Sequence, residues 1–213
     1  MKNYIKKFLI YLIPEIVLFP LKNWLKRREI MNSWRKNGYS VPVPSIVKQR
    51  VIINYQKKYN CSTFIETGTY LGDTVEALKT KFKKVISIEL GMDLYINAKE
   101  RFLNDKNIEI FQGDSGKVLP QIVLGLKDPA IFWLDGHYSA GITAKGDKIC
   151  PILEELDAIF DNSKLNHILL IDDARDFVGE GDYPTIERLT DYIKSKNERY
   201  KVQVKHDIIR YTI

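Results

Sequence analysis

Residues 64–74 read FIETGTYLGDT, in which two apolar residues are followed by a polar stretch with two glycines. Gly68 and Gly72 follow a predicted strand and precede a predicted helix, where glycines let the backbone pass close to a ligand. The spacing is GxxxG, without the third glycine of the dinucleotide pattern GxGxxG, which disfavours a pyrophosphate ligand. A ligand with a charged amino acid group fits better, since Glu66 would bind its ammonium. The alternative is an ordinary strand-to-helix turn.

Around this loop, apolar β-rich runs alternate with helical patterns from residue 60 to the end of the chain. The predicted strands are Thr63–Glu66, Lys84–Glu89, Ile108–Gln112, Ala130–Leu134, His167–Asp172, Lys201–Lys205 and Ile208–Thr212. The predicted helices are Ser45–Tyr59, Thr74–Phe82, Asp93–Asn104, Gly116–Gly125, Ile149–Phe160 and Thr185–Lys196. Strands separated by helices imply βαβ units, and the last two strands should form a hairpin. The fold predicted is α/β: a Rossmann-like, doubly wound, mostly parallel seven-stranded sheet with a C-terminal antiparallel hairpin.

Acidic residues close the second and third predicted strands. Glu89 lies 21 positions after Gly68, where doubly wound folds bind ribose hydroxyls. Asp114 and Ser115 follow the third strand and would either meet an adenine amino group or cap the next helix. The candidate binding residues are therefore Glu66, Thr67, Gly68, Thr69, Gly72, Thr74, Glu89, Asp114, Ser115 and Asp135.

A second acidic group follows the fourth and fifth predicted strands. Asp135 stands two residues before His137, and Asp172 and Asp173 end the next buried strand. Because these strands are predicted neighbours, the three carboxylates should converge at one edge of the sheet. Three oxygen ligands without a thiolate suit Mg²⁺ or a similar divalent cation. The alternative is a set of structural acids paired with Arg175 and Lys145.

The positive charge of the chain is concentrated at its start. The net charge is +6, but residues 1–36 carry +7 and residues 37–213 carry −1. A nearly neutral body argues against nucleic acid as a partner. Residues 1–28 hold a short apolar run between basic clusters, which predicts either an anchor at the membrane surface or a helix that packs on the protein. The run is too short and too interrupted to span a membrane.

The sequence divides into an arm at residues 1–40 and a domain at residues 41–213. Cys61 and Cys150 form no CxxC pair and have no His/Cys cluster around them, which predicts two reduced thiols in a cytoplasmic protein. If the arm is an anchor, the protein lies peripherally at the inner face of the membrane. The oligomeric state is left open.

The loop, the strand-end Glu, the Asp-Gly-x motif at Asp135 and the Ile-Asp-Asp motif at Asp172 together resemble one known family. That family is the metal-dependent sugar O-methyltransferases, the macrocin O-methyltransferase-like proteins, which belong to the class I methyltransferases. The resemblance covers residues 64–175 and implies S-adenosylmethionine as cofactor. It also implies Asp135, Asp172 and Asp173 as ligands of Mg²⁺. The family's catalytic base in Asp-Gly-x is an Asp, where this chain has His137.

The resemblance implies methyl transfer to a hydroxyl of a sugar, glycan intermediate or other small molecule. His137, with a pKa near working pH, would be the general base, and Asp135 would be the second catalytic residue. The stretch Tyr138–Gly146 would form a lid over the acceptor. Three alternatives stay open: a metal-free methyltransferase that uses His137 alone, a nicotinamide-dependent dehydrogenase, and a non-catalytic glycan-binding protein.

Overall fold

The structure, a computed structural model, describes the backbone of residues 15–136 and 149–213 and the side chains of residues 23–136 and 149–213. The chain divides into two compact units, Met1–Lys48 and Gln49–Ile213. The helices are α1 (Glu15–Lys36), α2 (Ser45–Tyr59), α3 (Asp73–Leu78), α4 (Met92–Arg101), α5 (Ser115–Leu124), α6 (Ile152–Asn162) and α7 (Ile186–Lys196). The strands are β1 (Thr63–Thr67), β2 (Lys84–Glu89), β3 (Ile108–Gln112), β4 (Ile131–Leu134), β5 (Ile168–Ile171), β6 (Lys201–Lys205) and β7 (Ile208–Thr212).

The seven strands form one sheet in the order β3-β2-β1-β4-β5-β7-β6. The first five strands run parallel, and β7 is antiparallel to both β5 and β6. The order reverses between β1 and β4, where a doubly wound sheet opens a crevice at the carboxyl ends of its strands. The predicted fold class is confirmed, including the C-terminal hairpin.

Each face of the sheet packs against its own group of helices. Alternate strand residues point to opposite faces, so that Ile65 and Phe132 pack with α5, α6 and α7, while Phe64 and Ile131 pack with α2, α3 and α4. Strands β4 and β5 are buried along their whole length. Both faces of the central strands are therefore covered, and ligands have access at the ends of the strands.

Three predicted helices differ from the structure by three residues or more at one end, whereas every predicted strand is present. Helix α3 ends at Leu78 instead of Phe82, and the Phe82 ring packs against Phe64 at 5.3 Å between centroids. Helix α4 ends at Arg101 instead of Asn104. Helix α6 begins at Ile152 instead of Ile149, because Pro151 disfavours helical backbone at the residue before it.

The N-terminal unit contains α1 and the start of α2. The backbone of α1 is helical across Pro20. Met31 and Trp34 of this helix are buried in a small cluster with Val43 and Val47, and the Trp34 indole donates to the Ser40 carbonyl at 2.8 Å. Among the described residues, no helix is both long and apolar enough to cross a membrane.

Candidate active site

The register of the sheet aligns the carboxyl ends of its four central strands. Thr67 of β1 pairs with Ile88 of β2 and with Leu134 of β4. Leu134 in turn pairs with Ile171 of β5. The residues that follow these four, in strand order, are Glu89, Gly68, Asp135 and Asp172. One edge of the sheet therefore carries the glycine loop and the predicted acidic residues side by side.

Gly68 lies where the end of β1 passes close to the end of β4. Its φ is +88, and a Cβ placed on it would approach the Asp135 carbonyl oxygen to 2.6 Å. Its backbone N–H donates to the Ile88 carbonyl at 2.9 Å. Both the left-handed backbone and the close approach call for glycine at this position. The loop thus keeps the backbone exposed for a ligand at the crevice.

Glu66 is buried beneath the loop. Its carboxylate accepts from Ser87 Oγ at 2.7 Å, and Ser87 also shares a hydrogen bond of 2.6 Å with Thr69. Burial raises the pKa of Glu66 to about 8, against the opposing effect of the Ser87 hydrogen bond, and the charges of Asp135 and Glu89 raise it further. A cation at this place would favour the ionised form of Glu66.

Glu89 fixes the loop from β2. One carboxylate oxygen accepts from the backbone N–H of Tyr70 at 2.8 Å and the other from that of Gly91 at 2.9 Å. Tyr70 has a φ of +48, an uncommon conformation for a residue with a side chain. Since each carboxylate oxygen has two acceptor positions, Glu89 keeps the capacity to accept from hydroxyl groups of a ligand.

Four further predicted binding residues have local places in the structure. Asp114 is the N-cap of α5, where its side chain accepts from the Gly116 N–H at 3.0 Å. Ser115 donates to Glu155 Oε1 of α6 at 2.6 Å. Thr74 lies in the first turn of α3, and Thr67 Oγ1 accepts from the Asp135 N–H at 3.1 Å. The helix-capping alternative for Asp114 is therefore observed, and its contact with an adenine stays a prediction.

Asp135, Asp172 and Asp173 lie together at the ends of β4 and β5. Each offers one carboxylate oxygen such that the three oxygens lie within 4.8 Å of one another. Asp172 is fully buried, and the side chains of the other two are partly exposed. The sequence thus predicts correctly that these carboxylates converge.

This donor set fits a hard divalent cation. Three carboxylates on one side leave positions for water or a hydroxyl, as Mg²⁺ sites in enzymes commonly do. Arg175 also reaches the cluster, since its guanidinium donates to Asp173 Oδ1 at 2.8 Å. The Arg175 pairing that the alternative interpretation required is therefore present at one of the three aspartates.

Several predicted features fall on residues that the structure does not describe. These are His137, Lys145, the lid at 138–146 and most of the arm at residues 1–28. Their roles stay predictions. The backbone of Gly136 is described, and a Cβ there would meet Glu155 Oε1 at 2.8 Å and Thr67 Oγ1 at 3.1 Å. A side chain at this position would therefore require Glu155 or Thr67 to shift.

A second histidine, His167, has a structural role. It is buried before β5, where its Nδ1 accepts from the Ala130 N–H at 3.1 Å and its Nε2 lies 2.9 Å from Ser163 Oγ. Burial lowers the pKa of His167 to about 4. The neutral ring joins the amino-terminal ends of β4 and β5, at the opposite edge of the sheet from the acidic cluster.

The structure adds residues that sequence reasoning missed. Arg101 of α4 donates to the Leu71 carbonyl and, at 2.9 Å, to the Asp73 carboxylate, so it holds the glycine loop from outside. Glu155 is buried on α6, where its place between Ile152 and Ile159 on the apolar face was a readable signal. Arg101 has no such signal, because an exposed Arg near a helix end is common.

Solved structures with the same fold are methyltransferases. The O-methyltransferase TomG from Streptomyces achromogenes, in complex with SAM, has a TM-score of 0.59 and 14% identity over 88% of each chain. An O-methyltransferase from Bacillus cereus, in complex with SAH, has a TM-score of 0.58 and 13% identity over 88% of this chain and 90% of that one. The SAH-bound methyltransferase PaMTH1 from Podospora anserina has a TM-score of 0.54 and 14% identity over 94% and 96%.

At this level of identity the likeness defines the fold of the chain, which is the seven-stranded, Rossmann-like methyltransferase fold. No protein-family model and no curated protein sequence matches this chain.

Proposed function

We propose that this protein is an S-adenosylmethionine-dependent O-methyltransferase that acts on a hydroxyl of a sugar or glycan intermediate with the help of a divalent cation. The observation that carries the proposal is the convergence of Asp135, Asp172 and Asp173 within 4.8 Å, beside a glycine loop and Glu89. The structural neighbours named above support the cofactor, since their structures contain SAM or SAH. The sugar acceptor rests on the sequence resemblance to macrocin O-methyltransferase-like proteins.

S-adenosylmethionine would lie across the glycine loop, with its ribose at Glu89 and its amino acid group near Glu66. Two observations support this placement. Glu89 ends β2 next to the loop, and the Glu66 carboxyl is buried with a raised pKa, which a cationic ligand would lower. Asp114 and Ser115 flank the region in which an adenine would lie.

Asp135, Asp172 and Asp173 would hold Mg²⁺ or Mn²⁺, which lowers the pKa of an acceptor hydroxyl bound beside it. His137, two residues after Asp135, would accept the hydroxyl proton. The acceptor oxygen then forms a bond to the methyl carbon as the bond from that carbon to sulfur breaks, giving S-adenosylhomocysteine. The remaining rate acceleration comes from holding oxygen, methyl and sulfur in line.

One observation favours a second candidate, a methyltransferase that uses His137 without a metal. Arg175 pairs with Asp173 at 2.8 Å, as a structural acid would require. Without a metal, the aspartates would fix the ends of β4 and β5, and His137 alone would activate the acceptor hydroxyl.

The deciding experiment measures transfer of a deuterated methyl group to extracts of the host's glycans and lipid-linked sugars by mass spectrometry. Methyl transfer that EDTA abolishes and Mg²⁺ or Mn²⁺ restores supports the first candidate. Full activity in chelator supports the metal-free one. Asp172→Asn should abolish the metal response, whereas Asp161→Asn should not, because Asp161 is an exposed acid paired with Lys196. Failure of the full chain to bind S-adenosylhomocysteine would contradict both candidates.

The arm at residues 1–28 is proposed to contact the membrane surface. Trp24 and Leu25 are exposed, and the Arg28 guanidinium lies 5.4 Å from the centre of the Trp24 ring. An aromatic ring next to basic groups suits the headgroup level of an anionic bilayer. The test is co-sedimentation with anionic vesicles, which high salt and deletion of residues 1–30 should each weaken. Equal sedimentation of full-length and truncated protein would favour the alternative of a packed helix.

A further inference from the structure

The turn between β6 and β7 places two residues in the left-handed region of the backbone. His206 and Asp207 have φ values of +53 and +56. A two-residue hairpin turn with both residues in the left-handed region is most often Asn-Gly. The Asp207 side chain is also only 4% exposed. A buried carboxylate requires polar partners, and those of the Asp207 side chain lie outside the hairpin.

Asp207 contacts the residues that directly follow Asp173. Its carbonyl oxygen accepts from the Ala174 N–H at 2.9 Å. Its Oδ1 accepts from the Arg175 N–H at 2.9 Å, and its Oδ2 forms an ion pair with the Arg175 guanidinium. Three contacts from one residue of the hairpin therefore fix the backbone and the side chain after β5.

Arg175 connects this turn to the acidic cluster. The same guanidinium nitrogen that meets Asp207 donates to Asp173 Oδ1 at 2.8 Å. Asp173 has a left-handed backbone, with a φ of +52, at the point where the chain turns after β5. A chain of contacts thus runs from the hairpin through Arg175 to one of the three carboxylates that lie within 4.8 Å.

We infer that Asp207 and Arg175 are positioning residues for the metal site, and that the C-terminal hairpin thereby helps to build it. Arg175 holds the Asp173 carboxylate where it can share a cation with Asp135 and Asp172. Asp207 holds Arg175 and balances its charge, so that the guanidinium does not offset the negative charge of the cluster. Ligands of metal ions are commonly oriented by such a surrounding layer of hydrogen bonds. The inference rests on the metal site of the proposed function.

The test is the affinity of the full chain for Mn²⁺ alone, read from the electron paramagnetic resonance signal of free Mn²⁺. Asp207→Asn keeps the size of the side chain and an oxygen for the Arg175 N–H, but it removes the charge. Arg175 would then compete with the cation for Asp173, so Mn²⁺ should bind about 10–100-fold more weakly. The affinity for S-adenosylhomocysteine should stay within about twofold, since Glu89 and the loop are untouched.

A double-mutant cycle separates positioning from general destabilisation. In an Arg175→Met background, Asp207→Asn should change the Mn²⁺ affinity by less than about twofold, because Asp207 acts through the guanidinium. Glu109→Gln is the matched control: it removes a carboxylate paired with Lys84 at 3.0 Å at the β3 end of the sheet and should change nothing.

The outcomes are distinguishable. Wild-type binding of Mn²⁺ that Asp207→Asn leaves unchanged would overturn the inference alone. An equal loss with and without Arg175 would also overturn it, since the effect would then not pass through the guanidinium. No Mn²⁺ binding by the wild type would overturn the metal site and, with it, the inference.

Discussion

The two halves of the crevice are built in different ways. On the side of β1 and β2, the glycine loop is held mainly by β2, since the Gly68 N–H donates to the Ile88 carbonyl and the Tyr70 N–H to Glu89. On the side of β4 and β5, Asp173 is joined through Arg175 to Asp207, which lies 32 residues after Arg175. The first half is therefore held by the strand beside it, whereas the second is linked to the C-terminal hairpin.

This difference has a consequence for how each half should respond to mutation. A side chain introduced into a loop with a strained backbone should distort the loop, because the backbone has no room to adjust. A cluster of carboxylates should lose affinity for a cation when a neighbouring charge is removed, even if its geometry is kept. Variants of the β1–β2 side should thus alter cofactor affinity, and variants of the β4–β5 side should alter turnover and metal affinity.

The largest effect is expected at His137. His137→Ala should lower turnover by roughly 10²–10⁴-fold, the usual contribution of a general base. Its affinity for S-adenosylhomocysteine, measured by calorimetry, should be nearly unchanged, because the cofactor loop belongs to the other half. Asp161→Asn serves again as the control, since Asp161 is an exposed acid paired with Lys196. Full turnover in His137→Ala would move the base elsewhere, and a loss of cofactor affinity would break the division into two halves.

The next effect is expected at Gly68. Gly68→Val places a side chain at a φ of +88 and against the Asp135 carbonyl oxygen. Backbone strain of this kind costs about 1–3 kcal/mol, so S-adenosylhomocysteine should bind roughly 5–150-fold more weakly. Tyr70→Gly is the control at the neighbouring position, because φ is already +48 there and glycine relieves the strain. Unchanged affinity in Gly68→Val would show that the loop does not bind the cofactor.

A pH dependence is expected at Glu66, which is 1% exposed. Its folded-state pKa of about 8 lies above the ordinary value of 4.5. The folded chain therefore holds this proton more tightly than the unfolded chain, and the corresponding stability is lost as pH rises from 4.5 through 8. Glu66→Gln cannot ionise and does not lose this stability. The free energy of unfolding of the variant relative to the wild type should therefore rise with pH in that window, by at most about 1.4 kcal/mol per pH unit.

Denaturant unfolding of both proteins across that pH range measures this difference. Saturating S-adenosylmethionine should reduce it, since a cation next to Glu66 favours the carboxylate. Parallel stability curves for Glu66→Gln and the wild type would mean that Glu66 is already ionised near its ordinary pKa, and a ligand would then find a preformed carboxylate.

The sequence predicts the strands and the position of the acidic residues better than the side-chain contacts between distant segments. The strands could be read from apolar runs and from the alternation with helices, and the glycine loop from its sequence pattern. The convergence of Asp135, Asp172 and Asp173 followed from strand adjacency alone. The link from Asp207 to Asp173 could not be predicted, because it requires the orientation of side chains from two separate segments. The end of α3 was also missed, since the packing of Phe82 in the core overrides its helical pattern.

The smallest effect is expected at Arg101, which supports the glycine loop from α4. Its guanidinium holds the Leu71 carbonyl and the Asp73 carboxylate across the surface of α4. An exposed ion pair contributes about 0.2–1 kcal/mol, so Arg101→Met should weaken S-adenosylhomocysteine binding by roughly 1.5–5-fold. Lysine at this position should restore only part of the affinity, because it lacks the planar fork that reaches both oxygens.

Turnover at saturating cofactor should be unchanged, since the aspartates and His137 are untouched. Calorimetry and steady-state kinetics measure the two quantities. A fall in turnover without a change in affinity would mean that α4 supports the β4–β5 side, and the two halves would then be one mechanical unit.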